Sequence, residues 1–383
     1  MKKYEKINQT NAAVINRAKV FQIITDHKVI KRDKIAKLTG LQKSTLTYIL
    51  NDLKKLNLIT ESKLHEPNKI GVPPLSVSLA NNDNFIIGID VEIDYIKTSI
   101  LNLNSDIIFT KEFKMKISQN NFETKILEVF NFISETINKK FLFMCIALPG
   151  IIDKTENKII VSNLLSLKNF KPSKEFEKKL GIPIILENNA NAAAYGFYYL
   201  NYKNKISNMY YIFFHLTKSH GFKNTGIGSA IIINSSLYYG DSYAAGEMGD
   251  IIGNIVKKHF PQYSYRKFLQ EFINILTDAV QNKNKKSEEI IKKFGYELGK
   301  YLGNFINILN IETIIINSDY PLAIEPLSSY IINGIQDTII SFFKDKIKII
   351  KGFDTEYAVS TGAAVIAREK IFEYDYFKKL LRR

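Results

Sequence analysis

The chain has 383 residues, 45% hydrophobic and 24% charged, with a net charge of +15. That length and balance predict two or three globular domains and exclude a chain too polar to bury a core. A single cysteine excludes an intrachain disulfide and a cysteine zinc cage, and no apolar run is long enough to span a bilayer. The opening Met1-Lys2-Lys3-Tyr4-Glu5 lacks the apolar segment of a secretory signal, so a cytoplasmic protein is expected. Charge is uneven: residues 1–80 hold 15 basic and 6 acidic side chains, so a fifth of the chain carries more than half the excess. That asymmetry is the footprint of a polyanion-binding module on a milder body.

From Asn11 to Asp26, apolar residues at Val14, Ile15, Ala18, Phe21 and Ile24 form a helical stripe. Lys31 to Thr39 reads as a short helix, Gly40 as a sharp turn plugged by Leu41, and Lys43 to Leu56 as a second helix with Leu46, Ile49, Leu50 and Leu53 inward. Two helices joined by a short Gly-containing turn form a helix-turn-helix, whose second helix enters the major groove N-terminus first. The residues placed there are Gln42, Lys43, Ser44, Thr45 and Thr47, all polar and able to contact bases or phosphates. Arg17 and Arg32 are the arginines of this region, and both precede the second helix.

Asn81 to Asn84 reads as a polar linker, and Phe85 to Val91 as a strand running into Glu92-Ile93-Asp94. Phe122 to Asn138 is an amphipathic helix, Phe141 to Ile146 a buried strand containing Cys145, and Ile152 to Val161 a hairpin. A helix over Lys174 to Leu180 leads to the apolar run Ile182 to Leu186. Glu187-Asn188-Asn189-Ala190-Asn191 follows and opens an alanine-rich helix. One carboxylate and three carboxamides at the carboxyl end of a strand suit a polyhydroxy ligand, because each amide both donates and accepts. A helix-capping loop would explain the same residues. Tyr210 to Leu216 and Ile227 to Ile233 read as paired strands, joined by the basic connection Lys218 to Asn224. Ser287 to Leu309 is a long helix with Gly295, Gly299 and Gly303 four residues apart, a spacing that permits close helix packing. Ile311 to Ile316 is a strand, and Ser360-Thr361-Gly362-Ala363-Ala364 opens the last helix. Alternating strands and helices predict an α/β fold.

Three stretches in order, Ala147-Leu148-Pro149-Gly150-Ile151-Ile152-Asp153, Glu187-Asn188-Asn189-Ala190-Asn191, and Thr225-Gly226-Ile227-Gly228 leading to Ala245-Gly246-Glu247-Met248-Gly249-Asp250, resemble the ROK family of sugar kinases and sugar-responsive repressors. The resemblance runs from about Asn8 to the C-terminal helix. It implies an N-terminal winged helix-turn-helix over residues 1–80, then a two-lobed actin-like (ribonuclease-H-like) sugar-binding domain over 85–383. Lobe 1 would span about 85–195 plus the C-terminal helix, and lobe 2 about 196–355. Leu58 to Thr60 and Leu75 to Leu79 resemble the wing strands, with Lys69 and Gly71 at the wing tip and Val72 where the family usually has arginine. The resemblance assigns sugar contacts to Gly150, Asn163, Asn188, Asn189 and Glu247.

Three departures bear on activity. Asn189 stands where kinases of the family carry the aspartate that acts as base, and an amide cannot accept a proton at neutral pH. Glu92-Ile93-Asp94 replaces the Gly-Gly-Thr turn that approaches ATP phosphates. Gly249-Asp250 replaces the Gly-His of the family zinc site, and His259, the nearest histidine, reads as a surface residue. The expectation is a repressor without catalytic residues, metal or cofactor. It would bind double-stranded operator DNA as a homodimer or dimer of dimers and respond to a sugar or sugar phosphate. A sugar kinase with divergent motifs is the alternative.

Overall fold

The computed structural model describes residues 9–63, 75–81, 83–216, 225–318, 321–353, 356–373 and 377–378. Lys69, Gly71, Val72 and the Lys218–Asn224 connection lie outside these residues.

The chain opens with α1 (Gln9–His27), β1 (Val29–Lys31), α2 (Arg32–Thr39), α3 (Lys43–Lys55), β2 (Ile59–Lys63) and β3 (Leu75–Leu79). Gly40 ends α2 in the left-handed conformation (φ 71°), and its N–H donates to the Ala36 carbonyl. Only glycine adopts that conformation cheaply, so the turn between the helices is set there. Ile35, Leu46, Ile49, Leu50 and Leu53 close the core as the apolar spacing predicts. The three strands form one antiparallel sheet in the order β1-β3-β2. Strand β1 is not legible in the sequence, because three residues pair only once β3 lies beside them. The linker is shorter than expected: Asn84 is buried as the first residue of β4, and its side chain donates to the Asn57 carbonyl at 2.5 Å.

Lobe 1 is a five-stranded sheet in the order β11-β7-β4-β5-β6. Its strands are β4 (Asn84–Val91), β5 (Tyr95–Asn102), β6 (Ile107–Lys114), β7 (Lys140–Leu148) and β11 (Ile184–Asn188). Helix α4 (Phe122–Ile137) buries Ile126, Val129 and Ile133 with this sheet. A hairpin sheet of β8 (Ile151–Asp153), β9 (Lys158–Ser162) and β10 (Leu167–Phe170), then α5 (Lys174–Leu180), sits between β7 and β11 in sequence. Lobe 2 repeats the scheme in β12 (Met209–His215), β13 (Gly226–Ile233), β14 (Ser236–Leu237), β15 (Thr313–Ser318) and β16 (Lys348–Phe353), ordered β14-β13-β12-β15-β16. In each sheet the first three strands are antiparallel and the last two join in parallel. Helices α7 (Gly249–His259), α8 (Tyr265–Gln281), α9 (Lys285–Leu309), α10 (Pro321–Thr338) and α11 (Ser341–Lys344) complete lobe 2. Gly295, Gly299 and Gly303 do admit a second helix: added Cβ atoms would meet Leu327, Tyr330, Ile331 and Thr338 of α10.

Two helices join the lobes, α6 (Asn189–Tyr202) and α12 (Ala358–Lys370). The expected lobe boundary at 195/196 falls inside α6. The helices touch backbone to backbone: a Cβ on Gly362 would strike the Ala192 carbonyl, and one on Gly196 would lie 2.6 Å from Gly362 Cα. Gly88 of β4 likewise meets the Ser360 carbonyl of α12. The N-terminal unit rests on the end of this pair. The Phe21 ring of α1 lies 5.2 Å from Phe372 and 6.0 Å from Phe377, and Asp26 is 3.7 Å from Lys203.

Gly362→Ala should destabilise the protein by about 3 kcal/mol, since neither backbone can yield without parting the helices. Gly253→Ala, where a Cβ meets nothing within 4 Å, should be neutral or stabilising by about 1 kcal/mol. Denaturant titration of both variants checks the contrast; equal midpoints would refute the close approach.

Candidate functional site

In the N-terminal unit, Gln42 is the extended N-cap of α3, and Gln42, Lys43, Ser44, Thr45 and Thr47 are all exposed. The helical period forces this, because the buried stripe of Leu46, Ile49, Leu50 and Leu53 leaves the opposite face to solvent. The Thr47 hydroxyl donates back to the Lys43 carbonyl at 2.8 Å, which leaves chiefly its methyl for an outside partner. Arg32 is engaged within the fold: its guanidinium pairs with Glu61 of β2, which Lys54 also meets at 2.7 Å. Burial works to raise the Glu61 pKa, but hydrogen bonds from Lys54 and Arg32 prevail and hold it below the usual range. Arg17 is likewise paired with Asp52 at 2.6 Å. Sequence reasoning missed Tyr48, 62% exposed one position beyond Thr47, with Arg17 lying 5.3 Å from its ring centre. The available signal was an aromatic residue on the polar face of an amphipathic helix.

In the body, the elements converge on Glu187 at the end of β11, wholly buried. One carboxylate oxygen accepts from Lys154 Nζ at 2.7 Å and from the Tyr239 hydroxyl at 2.8 Å. The other accepts from the Asn188 backbone N–H at 2.9 Å and from Asn191 Nδ2 at 3.2 Å. Lys154 belongs to the β8–β9 turn, and Tyr239 follows β14, so the carboxylate ties lobe 1 to lobe 2. Burial, and then the Glu187 charge, push the Tyr239 phenol well above its ordinary pKa, which keeps it protonated as a donor. A second tie, between the Thr155 and Tyr243 hydroxyls at 2.6 Å, runs beside it. Lys154, Tyr239 and Tyr243 had no signal in the sequence; nothing in their neighbourhoods marks them among 21 tyrosines and many lysines.

Asn188 caps α6, accepting from the Asn191 N–H at 3.1 Å, and donates to the Gly150 carbonyl at 2.9 Å. It therefore joins two predicted site residues and also performs the capping role. Gly150, at φ 147°, is pressed against the Val161 carbonyl and lies 3.0 Å, at its would-be Cβ, from Ser162. Ser162 donates to the Pro149 carbonyl at 2.5 Å, and the exposed Asn163 follows it. Gly150, Asn163 and Asn188 thus share one corner. Asn189 accepts from the Ala190 N–H at 2.9 Å and faces Glu92, with Nδ2 donating to Glu92 Oε1 at 3.4 Å. Glu92 is 2% exposed. The replaced phosphate turn and the replaced base therefore meet each other.

Glu247 lies on a turn braced from below, where the Ser229 hydroxyl donates to the Gly246 carbonyl at 2.7 Å. Its surface is open to solvent, yet enough protein surrounds it that partial desolvation raises its pKa. Among the described residues no hydrogen bond or ion pair joins it to Asn163, Asn188 or Asn189. The expected surface position of His259 is corrected. Its side chain is only 15% exposed and lies 3.5 Å from Glu297 of α9, since the end of α7 packs there; burial lowers its pKa. Cys145 is fully buried in β7, and burial pushes its thiol up, which leaves a packing role. No group of three or more His, Cys, Asp or Glu side chains among the described residues could hold a metal, and no helix among them is long and apolar enough to cross a membrane.

The ROK family model matches residues 86–261. A xylose repressor of Caldicellulosiruptor bescii is 27% identical over 94% of this chain and 97% of its own length. The crystal structure of a ROK family transcriptional regulator, a homolog of the E. coli MLC protein, superposes with TM-score 0.77 at 18% identity, over 97% of this chain and 100% of that one. A ROK family glucokinase from Streptomyces griseus, solved with glucose and AMPPNP, covers 74% of this chain with TM-score 0.57 at 16% identity and 99% of its own length. The glucokinase shares the two lobes; the regulator matches nearly the whole chain, N-terminal unit included. In fold, ordered motifs and full-length similarity, this chain resembles ROK family proteins, and residues 86–261 match the family model.

Proposed function

We propose that this chain is a sugar-responsive transcriptional repressor, with residues 1–80 binding operator DNA and residues 85–383 binding the sugar. The observation that carries the reading is the meeting of Asn189 with Glu92. A sugar kinase needs a base near the sugar hydroxyl and room for the anionic phosphates of ATP. Here an amide faces a buried carboxylate that would repel those phosphates. The glucokinase-like body favours the kinase alternative by fold alone, and fold does not carry chemistry. The exposed polar start of α3 and the basic excess of residues 1–80 support DNA binding. Gln42, Lys43, Ser44 and Thr45 read the major groove, and Tyr48 joins them. Arg32 has the lesser part, through donors that Glu61 leaves over. Lys69 and Gly71 are retained as the wing tip. The protein acts in the cytoplasm as a homodimer or dimer of dimers on a palindromic operator. Similarity to xylose repressors makes a pentose the first effector to try.

Switching follows from linkage: a ligand that prefers one conformation weakens a partner that prefers the other by the same factor. Gly150, Asn163, Asn188 and Asn189 hold the sugar from lobe 1 and Glu247 from lobe 2, so a sugar bridging them favours one lobe arrangement. The Glu187–Tyr239 bond already spans the lobes, and α1 rests on α12 through Phe21, Phe372 and Phe377. Movement between lobes therefore reaches the DNA-binding unit.

Thr45→Ala should cost about 1–3 kcal/mol at its preferred base and relax specificity there. Lys43→Ala should weaken all sequences alike and lower the salt slope by about 0.9. Gel shifts at several salt concentrations check both, and unchanged binding by both would refute the assignment. A coupled assay with ATP, magnesium and a panel of hexoses and pentoses should read at background in wild type and in Asn189→Asp; turnover in either overturns the non-catalytic reading. Glu247→Ala should bind operator normally yet lose the sugar response, which in wild type should lower affinity about 5–150-fold. Operator titrations with and without sugar decide it, and a wild-type response in the mutant would sink the cleft assignment.

A further inference from the structure

A cavity of about 350 Å³ opens on lobe 2 between α7 and the start of α8, lined by Gly253, Lys257, Pro261, Tyr263, Ser264 and Tyr265. That volume is in the range that receives small molecules. The cavity lies along the helix that begins just after Glu247. Glu247 lies two residues before Gly249, the first residue of α7, and Gly253 is one turn further on. The Tyr265 phenol borders both: burial raises its pKa first, and the nearby Glu247 and Asp250 carboxylates raise it further.

The floor of the cavity is bare. A Cβ on Gly253 or on Gly249, one turn before it, would meet no atom within 4 Å, and neither residue has a positive φ. The glycines of α9 are filled by α10, whereas these face open space. Glycine inside a helix is about 1 kcal/mol less favourable than alanine, and here neither backbone conformation nor a packed neighbour calls for it.

The walls suit a sugar ring. Tyr263 and Tyr265 in the lining are the residue type that stacks on the C–H surface of a sugar and bonds its hydroxyls, and Lys257 adds a donor. Charge selects among sugars. Lys257 is the single cation in the lining, and Glu247 and Asp250 stand close by, so a phosphate would meet as much repulsion as attraction.

We propose that this cavity is a second saccharide subsite contiguous with the cleft, and that the effector is a neutral disaccharide whose distal ring lies against Tyr263 and Tyr265. The proposal rests on the cleft reading above. The test titrates operator release from the full-length protein with xylose, xylobiose, glucose, cellobiose and xylose 1-phosphate. For the sugar type that acts, the disaccharide should release operator at about tenfold lower concentration than its monosaccharide, and the phosphate should be no better than the monosaccharide. Gly253→Leu places a good helix former at the cavity wall, where its Cβ meets nothing within 4 Å. It should abolish the tenfold advantage while leaving sugar-free operator affinity and the monosaccharide response unchanged. A monosaccharide or its phosphate equal to or better than the disaccharide, or a Gly253→Leu protein that keeps the advantage, overturns the subsite and leaves the cleft reading standing. No response to any of the five overturns both.

Discussion

One buried carboxylate organises the molecule. Glu187 has no solvent and four donors, drawn from the β8–β9 turn, the start of α6 and the loop after β14. An ion this deep is tolerable only with a charged partner and every lone pair satisfied, and removing one donor would leave much of the desolvation cost uncompensated. The three segments are therefore locked to one another, and the lobes, which also meet through α6, α12 and the Thr155–Tyr243 bond, gain a buried polar tie. Three of the residues assigned to sugar adjoin it: Asn188 is adjacent in sequence, Gly150 is held by Asn188, and Asn189 begins the helix that Glu187 precedes.

The same corner bears on the proposed non-catalytic role. Glu187 has its oxygens engaged by Lys154, Tyr239, Asn191 and a backbone N–H, so it is committed to holding these segments together. Asn189 is an amide that accepts no proton at neutral pH, and Glu92 lies beside it. What remains is a set of donors and acceptors fixed in place by capping and turn geometry, which is suited to binding. Asn188 in particular is both a helix cap and a bridge to Gly150, so the two readings of the Glu187-Asn188-Asn189 stretch are compatible.

Close packing carries the corner's influence outward. Glycines at 88, 196 and 362 let β4, α6 and α12 meet backbone to backbone, where small displacements cannot be absorbed by side chains. The far end of α12 continues to Phe372 and Phe377, which cover Phe21 of α1, and Lys203 at the end of α6 lies between Glu369 and Asp26 at 3.3 and 3.7 Å. Both interlobe helices thus terminate on the N-terminal unit.

The sequence alone determined the periodic features. The α3 stripe and its exposed polar start follow from the helical period, the strands β4 and β7 from continuous apolar runs, and the glycine row of α9 from a four-residue spacing, all of them local properties. The loss of an ionisable group at Asn189 was equally legible, because side-chain chemistry is readable one residue at a time. Tertiary structure alone decided the rest. Lys154 and Tyr239 reach Glu187 across 33 and 52 residues, and Arg32 meets Glu61 across 29, separations at which no sequence pattern says who faces whom. Strand β1 formed only beside β3, and His259 turned inward only because α7 ends on α9. Gly253 and Gly295 look alike in the sequence; one faces open space and the other a helix, because a glycine's meaning depends on what the rest of the chain brings up to it.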